Sequence, residues 1–270
     1  MRAQGEFELD FIESTDNKLI KQVRKLSEKK YRHQKSQFLV EGFRFVSEAV
    51  RSKFEVAYIF ICKGLDDKLS KYDIEQNISK YTKIISVSES VLKSLCDTQA
   101  PQGIVAVVDY QNFTIKDEEG FYVLCDEVQD PGNMGTIIRS AHASNALGVI
   151  VTKGAVDVYN QKTLRATMGS IFHVPIIEAS TVVKQLKQKG FKLLVSSLEA
   201  KNDFYDVDLT GKLIIVVGNE GNGVSSEVSD LADLLVKIPM PGGAESLNAA
   251  VAASIMMFER VRQCACNLKE

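Results

Sequence analysis

No two of the five cysteines, Cys62, Cys96, Cys125, Cys264 and Cys266, stand in C-x-x-C spacing, and their number is odd. A disulfide framework or a zinc ribbon would need pairs, so reduced thiols in a cytoplasmic protein are expected. His33, His142 and His173 have neither metal-ligand spacing nor a carboxylate pair nearby, so no metal site is expected. No uncharged apolar run reaches the roughly 18 residues of a membrane span. The stretch that comes closest, Leu247–Phe258, is short and flanked by Glu245 and Glu259. The opening MRAQGEFELD has no apolar core of a secretory signal. Gly-Lys-Ser/Thr is also missing, which excludes a phosphate-binding P-loop. Net charge is nearly absent too: 33 basic against 35 acidic residues give −2, which does not announce a nucleic-acid binder.

What is present is more telling. At 270 residues and 45% hydrophobic, the chain can build two domains with real cores. The small net charge hides an asymmetry, because Lys18 to Lys35 carries eight Lys or Arg against one acid, Glu28. Such a stripe suits a phosphate backbone, or it is the solvated face of a helix. Apolar spacing predicts helices over Asp16–Leu26, Gly42–Lys53, Asp66–Tyr72 and Ser88–Leu95, with strands at Val56–Cys62, Lys83–Val87 and Ile104–Val108. These make a small α/β domain over residues 1–109. A polar connector, 110–120, precedes a second β/α series over 121–270. Its short apolar strands (Phe121–Cys125, Gly148–Val151, Val174–Ile177, Lys192–Ser196, Leu213–Gly218, Leu234–Ile238) alternate with helices, as in a parallel sheet covered on both faces. A long helix, Ser246–Cys266, closes the series.

In such sheets ligands sit beyond the carboxyl ends of the strands, which gives weight to three unusual loops. Asp126–Arg139, DEVQDPGNMGTIIR, sets a Pro-Gly turn before a helix that Asn133 can cap. Val217–Gly223, VGNEGNG, places three glycines after a strand, either for close approach to a ligand or as a plain turn. Its spacing does not fit a dinucleotide fingerprint, and Glu220 would repel a phosphate, whereas a neutral or cationic group would fit. Lys237–Ala250, KIPMPGGAESLNAA, makes a Pro/Gly-rich excursion into a small-residue helix that Ser246 can cap, with Asn248 beside it.

Together N-x-G-x-x-x-R (Asn133 to Arg139), G-N-E-G-x-G (Gly218 to Gly223) and I-P-M…E-S-L-N (Ile238 to Asn248) resemble the three motifs of the SpoU (TrmH-type) RNA ribose methyltransferases of the SPOUT superfamily. The first half is similar to that family's substrate-binding domain at Lys29-Lys30-x-Arg32, Phe38-x-Val40-Glu41-Gly42 and Pro101-Gln102-Gly103-Ile104. The resemblance implies an α/β fold: a parallel-sheet catalytic domain with a deep trefoil knot, a rarity among folds, behind a small ribosomal-protein-like α/β RNA-binding domain.

It further implies transfer of a methyl group from S-adenosylmethionine to a ribose 2′-hydroxyl. Structured rRNA would be the partner, a guanosine of 23S rRNA foremost; a tRNA target and a non-catalytic RNA-binding assembly factor stand as alternatives. Asn133, Arg139, Glu220, Ser246 and Asn248 match the family's polar site residues. Main chain around Leu198, Gly218, Ile238, Met240 and Leu247 would hold the cofactor, and Lys29, Lys30 and Arg32 would hold RNA. One departure is Ala250, where the family commonly carries serine. Because arginine is permanently protonated, Arg139 is better suited to pairing with a phosphate and stabilising an alkoxide than to removing a proton. Asn133 and Arg139 lie about 240° apart around a helix. Either Asn133 stands in the loop, or Arg139 faces a second surface, as the family's homodimer would allow.

Overall fold

In the computed structural model, residues 10–179, 181–197 and 200–267 are described, and they fall into two compact units, 1–112 with 159–161, and 113–158 with 162–270. The first unit runs β1 (Phe11–Ile12), α1 (Lys18–Arg24), α2 (Lys29–Lys35), β2 (Gln37–Glu41), α3 (Phe43–Arg51), β3 (Val56–Cys62), α4 (Asp67–Lys71), β4 (Lys83–Val87), α5 (Glu89–Leu95) and β5 (Ile104–Asp109). Its strands form one sheet in the order β1-β4-β3-β5-β2. Pairing is parallel from β1 through β3, and β5 runs antiparallel to both of its neighbours. Ile20 and Val23 of α1, Phe60, Val87, Leu92 and Val105 close one buried core.

One helix here escapes the hydrophobic pattern. KKYRHQK of α2 has no apolar stripe; its ends are fixed locally, by Ser36 in the left-handed conformation after it and by Arg32 within it. Arg32 is 4% exposed, and its Nη1 donates to the carbonyls of Leu26 (2.9 Å) and Ser27 (2.6 Å). That corrects the RNA-contact expectation for Arg32: the guanidinium is spent inside its own unit. Lys29 and Lys30 are exposed on the first turn of α2. Two short edge strands were not expected either, β2, paired with β5, and β1, paired with β4.

The second unit runs β6 (Gly120–Cys125), α6 (Pro131–Ala143), β7 (Gly148–Val151), α7 (Gln161–Thr167), β8 (Ile176–Glu178), α8 (Val182–Gln188), β9 (Lys192–Ser196), β10 (Asn202–Asp203), β11 (Lys212–Val217), α9 (Ser226–Ser229), β12 (Leu234–Lys237) and α10 (Ala249–Asn267). Every strand pair is parallel, in the order β10-β12-β9-β11-β6-β7-β8. All six residues of β6 are buried, the mark of a strand covered on both faces. Phe113 and Ile115, ahead of β6, pack on the same core as Tyr122, Leu193 and Ile214.

The chain leaves β6 to one side for β7 and β8, then crosses to the other side, where β11 inserts between β9 and β6. This reversal is a topological switch point, and a crevice opens beyond the strand ends there. Cys125 and Val217 end β6 and β11 in register, so the two loops that follow them start side by side.

Candidate functional site

Asp130 caps α6, accepting the N–H of Asn133 at 2.7 Å, with Pro131 in the first turn, where its missing N–H costs nothing. Asn133 is therefore inside the helix, which corrects its reading as the cap. At the far loop the same exchange occurs. Asn248, not Ser246, caps α10, its Oδ1 accepting from Ala250 (2.9 Å) and Val251 (3.2 Å), while Ser246 lies exposed in the approach. Both assignments leave the side chains of Asn133 and Asn248 on the crevice.

There the three loops meet. Asn248 Nδ2 donates to Asn133 Oδ1 at 2.9 Å, and Asn133 Nδ2 donates to Glu220 Oε1 at 2.8 Å. The main-chain N–H of Gln129 reaches Glu220 Oε2 at 3.5 Å. Partial burial pushes the Glu220 carboxyl up, but the amide of Asn133 and the main-chain N–H groups of Glu220 itself, Gln129 and Asp130 outweigh it and hold the group below the ordinary glutamate range. No Lys or Arg among the described residues forms a salt bridge with it. The crevice thus offers an ionised, hydrogen-bonded carboxylate with no internal counter-ion, an environment that favours a cation.

Gly218 of VGNEGNG serves the loop itself. A Cβ on Gly218 would lie 2.3 Å from the carbonyl carbon of Gly223 and 2.4 Å from the N of Val224, because the chain returns directly over it. Asn219 and Gly223 exchange main-chain hydrogen bonds at 2.8 and 3.0 Å, and Ser225 N–H donates to the buried Asp126 carboxylate at 2.7 Å. Gln129, Asp130, Asn219 and Asp126 were not singled out from the sequence. Asn219 and Asp130 did carry a signal, since Asx side chains bond main-chain groups two or three residues on.

After β12, Met240 accepts the N–H of Gly243 at 3.0 Å, closing the turn of the Pro/Gly-rich excursion. Ile238 and Met240 are half-buried and Leu247 is exposed. The main-chain polar groups of Ile238 and Leu247 bond no other described residue. Leu198 lies outside the described residues.

Arg139 is exposed and makes no hydrogen bond or salt bridge to any described residue. It shares a helical stripe with Gly135 and His142 (i, i+4, i+7). That stripe faces α7 and the turn after it: a Cβ on Gly135 would lie 2.3 Å from Ala166 Cβ, and His142 Nδ1 lies 3.2 Å from Ser170 Oγ. Because Asn133 is helical, Arg139 is directed to a second surface and is not joined to the Asn248–Asn133–Glu220 line.

Among the described residues no three His, Cys, Asp or Glu side chains are placed to hold a metal, and no helix is long and apolar enough to cross a membrane.

Known proteins resemble the chain over nearly its whole length. Residues 120–258 match the SpoU rRNA Methylase family, and residues 17–106 match the MRM3-like substrate binding domain. The 23S rRNA (guanosine(2553)-2′-O)-methyltransferase RlmP of Bacillus subtilis is 35% identical over 249 residues, which cover 92% of this chain and 97% of the relative. Among solved structures, the SpoU methyltransferase AviRb of Streptomyces viridochromogenes in complex with AdoMet superposes with a TM-score of 0.84 at 32% identity, over 92% of this chain and 98% of its own. An AdoMet-bound rRNA methyltransferase from Sinorhizobium meliloti gives 0.83 at 28% identity, over 94% and 98%.

Proposed function

The chain belongs to the SpoU rRNA methylase family, and from that premise we propose that it methylates a ribose 2′-hydroxyl of RNA with S-adenosylmethionine, its target a guanosine of 23S rRNA. The observation that carries the proposal is the hydrogen-bonded line Asn248–Asn133–Glu220, which ties one polar residue from each of the three motifs into one crevice.

S-adenosylmethionine supplies an activated methyl group on a positively charged sulfur. The residues fit such a group. Glu220, ionised and without a counter-ion among the described residues, favours a nearby positive charge, and the main-chain groups of Ile238 and Leu247, which bond no other described residue, can read a nucleobase edge. Gly218, Met240 and Leu198 complete the set of residues that would hold it. Asn133 and Asn248 supply orientation. Arg139, fixed in charge and exposed, pairs with an RNA phosphate and stabilises the alkoxide as it forms; placing the ribose hydroxyl in line is worth several kcal/mol by itself. Ser246, exposed at the entry to α10, lies where substrate would pass.

The direction of Arg139 away from the crevice line favours a homodimer, in which each arginine serves the site beside the interface. The exposed apolar residues Val251, Phe258 and Val261 of α10 support the same reading. The insertion of β11 between β9 and β6, with α10 packed on α6, is the arrangement expected of a deep trefoil knot around the cofactor. Lys29 and Lys30 mark the RNA-holding surface of the first unit, and rRNA as substrate supports a cytoplasmic location.

Mapping 2′-O-methyl sites in rRNA and tRNA from cells with and without the protein tests the proposal. One 23S guanosine should lose its methyl group; if every site survives, the proposal falls. Arg139→Ala should abolish transfer while cofactor affinity stays within about threefold.

A further inference from the structure

Asn219 directly precedes Glu220, and nearly all of its bonding capacity is used. Its Oδ1 accepts from the N–H groups of Gly221 (2.9 Å) and Asn222 (3.0 Å), which closes the turn around Glu220. Its Nδ2 donates to the main-chain oxygen of Glu127 at 3.0 Å, across 92 residues of sequence. The residue that carries that carbonyl is itself held through its N–H. Glu127 adopts a left-handed conformation (φ 54°) and donates its N–H to Thr152 Oγ1 at 2.9 Å. Two residues on, Gln129 is the group whose N–H reaches Glu220. One amide therefore joins the loop that bears Glu220 to the segment that leads into Asn133.

We infer that Asn219 is a positioning residue for methyl transfer, its side chain clamping the Glu220 loop to Glu127 so that the carboxylate meets Asn133. Glu220 is an exposed side chain on a loop rich in glycine, and such loops do not hold one geometry by themselves. The clasp at the loop's end, Ser225 to Asp126, fixes where the chain returns, six residues from Asn219. The Gly221, Asn222 and Gly223 bonds of Asn219 stay within the loop, whereas its bond to Glu127 ties the residue next to the carboxylate to another segment. The inference rests on the proposed methyltransferase activity for its kinetic arm alone.

The test compares Asn219→Asp, Asn219→Ala and Thr152→Val in the full chain, each checked by thermal melting. Asn219→Asp keeps an acceptor for the turn but sets a carboxylate against the Glu127 carbonyl. Thr152→Val loosens that carbonyl from behind without touching the loop. Carbon-13 NMR titration of the Glu220 carboxyl should show its midpoint rising by about half a pH unit or more in all three, since Asn133 and Gln129 no longer hold the charged form. kcat should fall between about 10- and 100-fold in the Asn219 variants, with KM for RNA within about threefold, as expected when a group is misplaced by an ångström or less. A Glu220 midpoint equal to wild type in the folded variants, or an unchanged kcat, would overturn the role of Asn219. If wild-type protein transfers no methyl group to rRNA or tRNA, the functional proposal falls, and the titration still decides the clamp.

Discussion

Asn133 accepts a hydrogen bond from Asn248 on one side, at 2.9 Å, and donates one to Glu220 on the other, at 2.8 Å. The order of these bonds is polar. A carboxylate can only accept, so the amide nitrogen of Asn133 must face Glu220 and its oxygen must face Asn248. The negative charge at one end therefore orients two amides in succession, and loops separated by 115 and 87 residues in sequence are held in one register.

Asn133→Asp replaces the donor with a second carboxylate, and two acids at hydrogen-bond distance do not both ionise freely. In the wild type, Glu220 is held below its ordinary range, so its charge is present above that range and is lost only as pH falls through the lowered value. Cofactor affinity measured by calorimetry should therefore be flat from neutral pH down past the usual glutamate midpoint. In Asn133→Asp the decline should begin at higher pH, and affinity at pH 7 should drop at least tenfold, about 1.4 kcal/mol.

Gly218→Ala tests whether the loop's fold or a ligand demands glycine. The clash at 2.3 Å is with main chain of the same loop, which cannot turn aside as a side chain would. Overpacking of this kind costs about 1–3 kcal/mol. The expected outcome is a modest fall in melting temperature with a loss of cofactor binding already complete in the absence of RNA.

Arg32→Ala and Lys30→Ala should separate two roles within one basic run. Loss of the buried guanidinium leaves the Leu26 and Ser27 carbonyls unpaired, costing about 1–3 kcal/mol of stability in chemical denaturation. Lys30→Ala should leave stability unchanged and weaken RNA binding. It should also reduce the dependence of log affinity on log salt by about one unit, the signature of one lost phosphate contact.

The thiols sort by burial. Cys96 and Cys125 are pushed up to about 12 by burial, so both stay protonated and unreactive near neutrality, whereas Cys266 is exposed. Maleimide labelling of the native protein, read by mass spectrometry, should modify Cys266 first and Cys125 only after denaturation.

Much of this architecture was legible beforehand because the strands are strongly apolar. Val56–Cys62, Lys83–Val87, Gly148–Val151 and Lys192–Ser196 appear where the hydrophobic runs put them, since burial and strand length coincide there. The helix starts were less so. DPGN offers two capping residues three apart, and proline at the first helical position, together with the N–H of Asn133, decides for Asp130. In AESLN the choice fell to Asn248 because its side chain reaches the first free N–H groups of α10. The helix α2 was invisible because local bonds, not an apolar face, define it. Spacing alone left the direction of Arg139 open; the placement of Asn133 inside α6 closed that choice.

The register of Cys125 against Val217 carries a consequence for how the protein comes into being. Two central strands whose last residues are 92 apart pair to bring the loops beyond them together, and Asn248, 115 residues from Asn133, completes the line. Contacts of such sequence separation form slowly, because the entropy of closing the loop is lost before any contact rewards it. The crevice therefore depends on long-range pairing: a chain in which β6 and β11 are apart can keep its local helices and still lack the site.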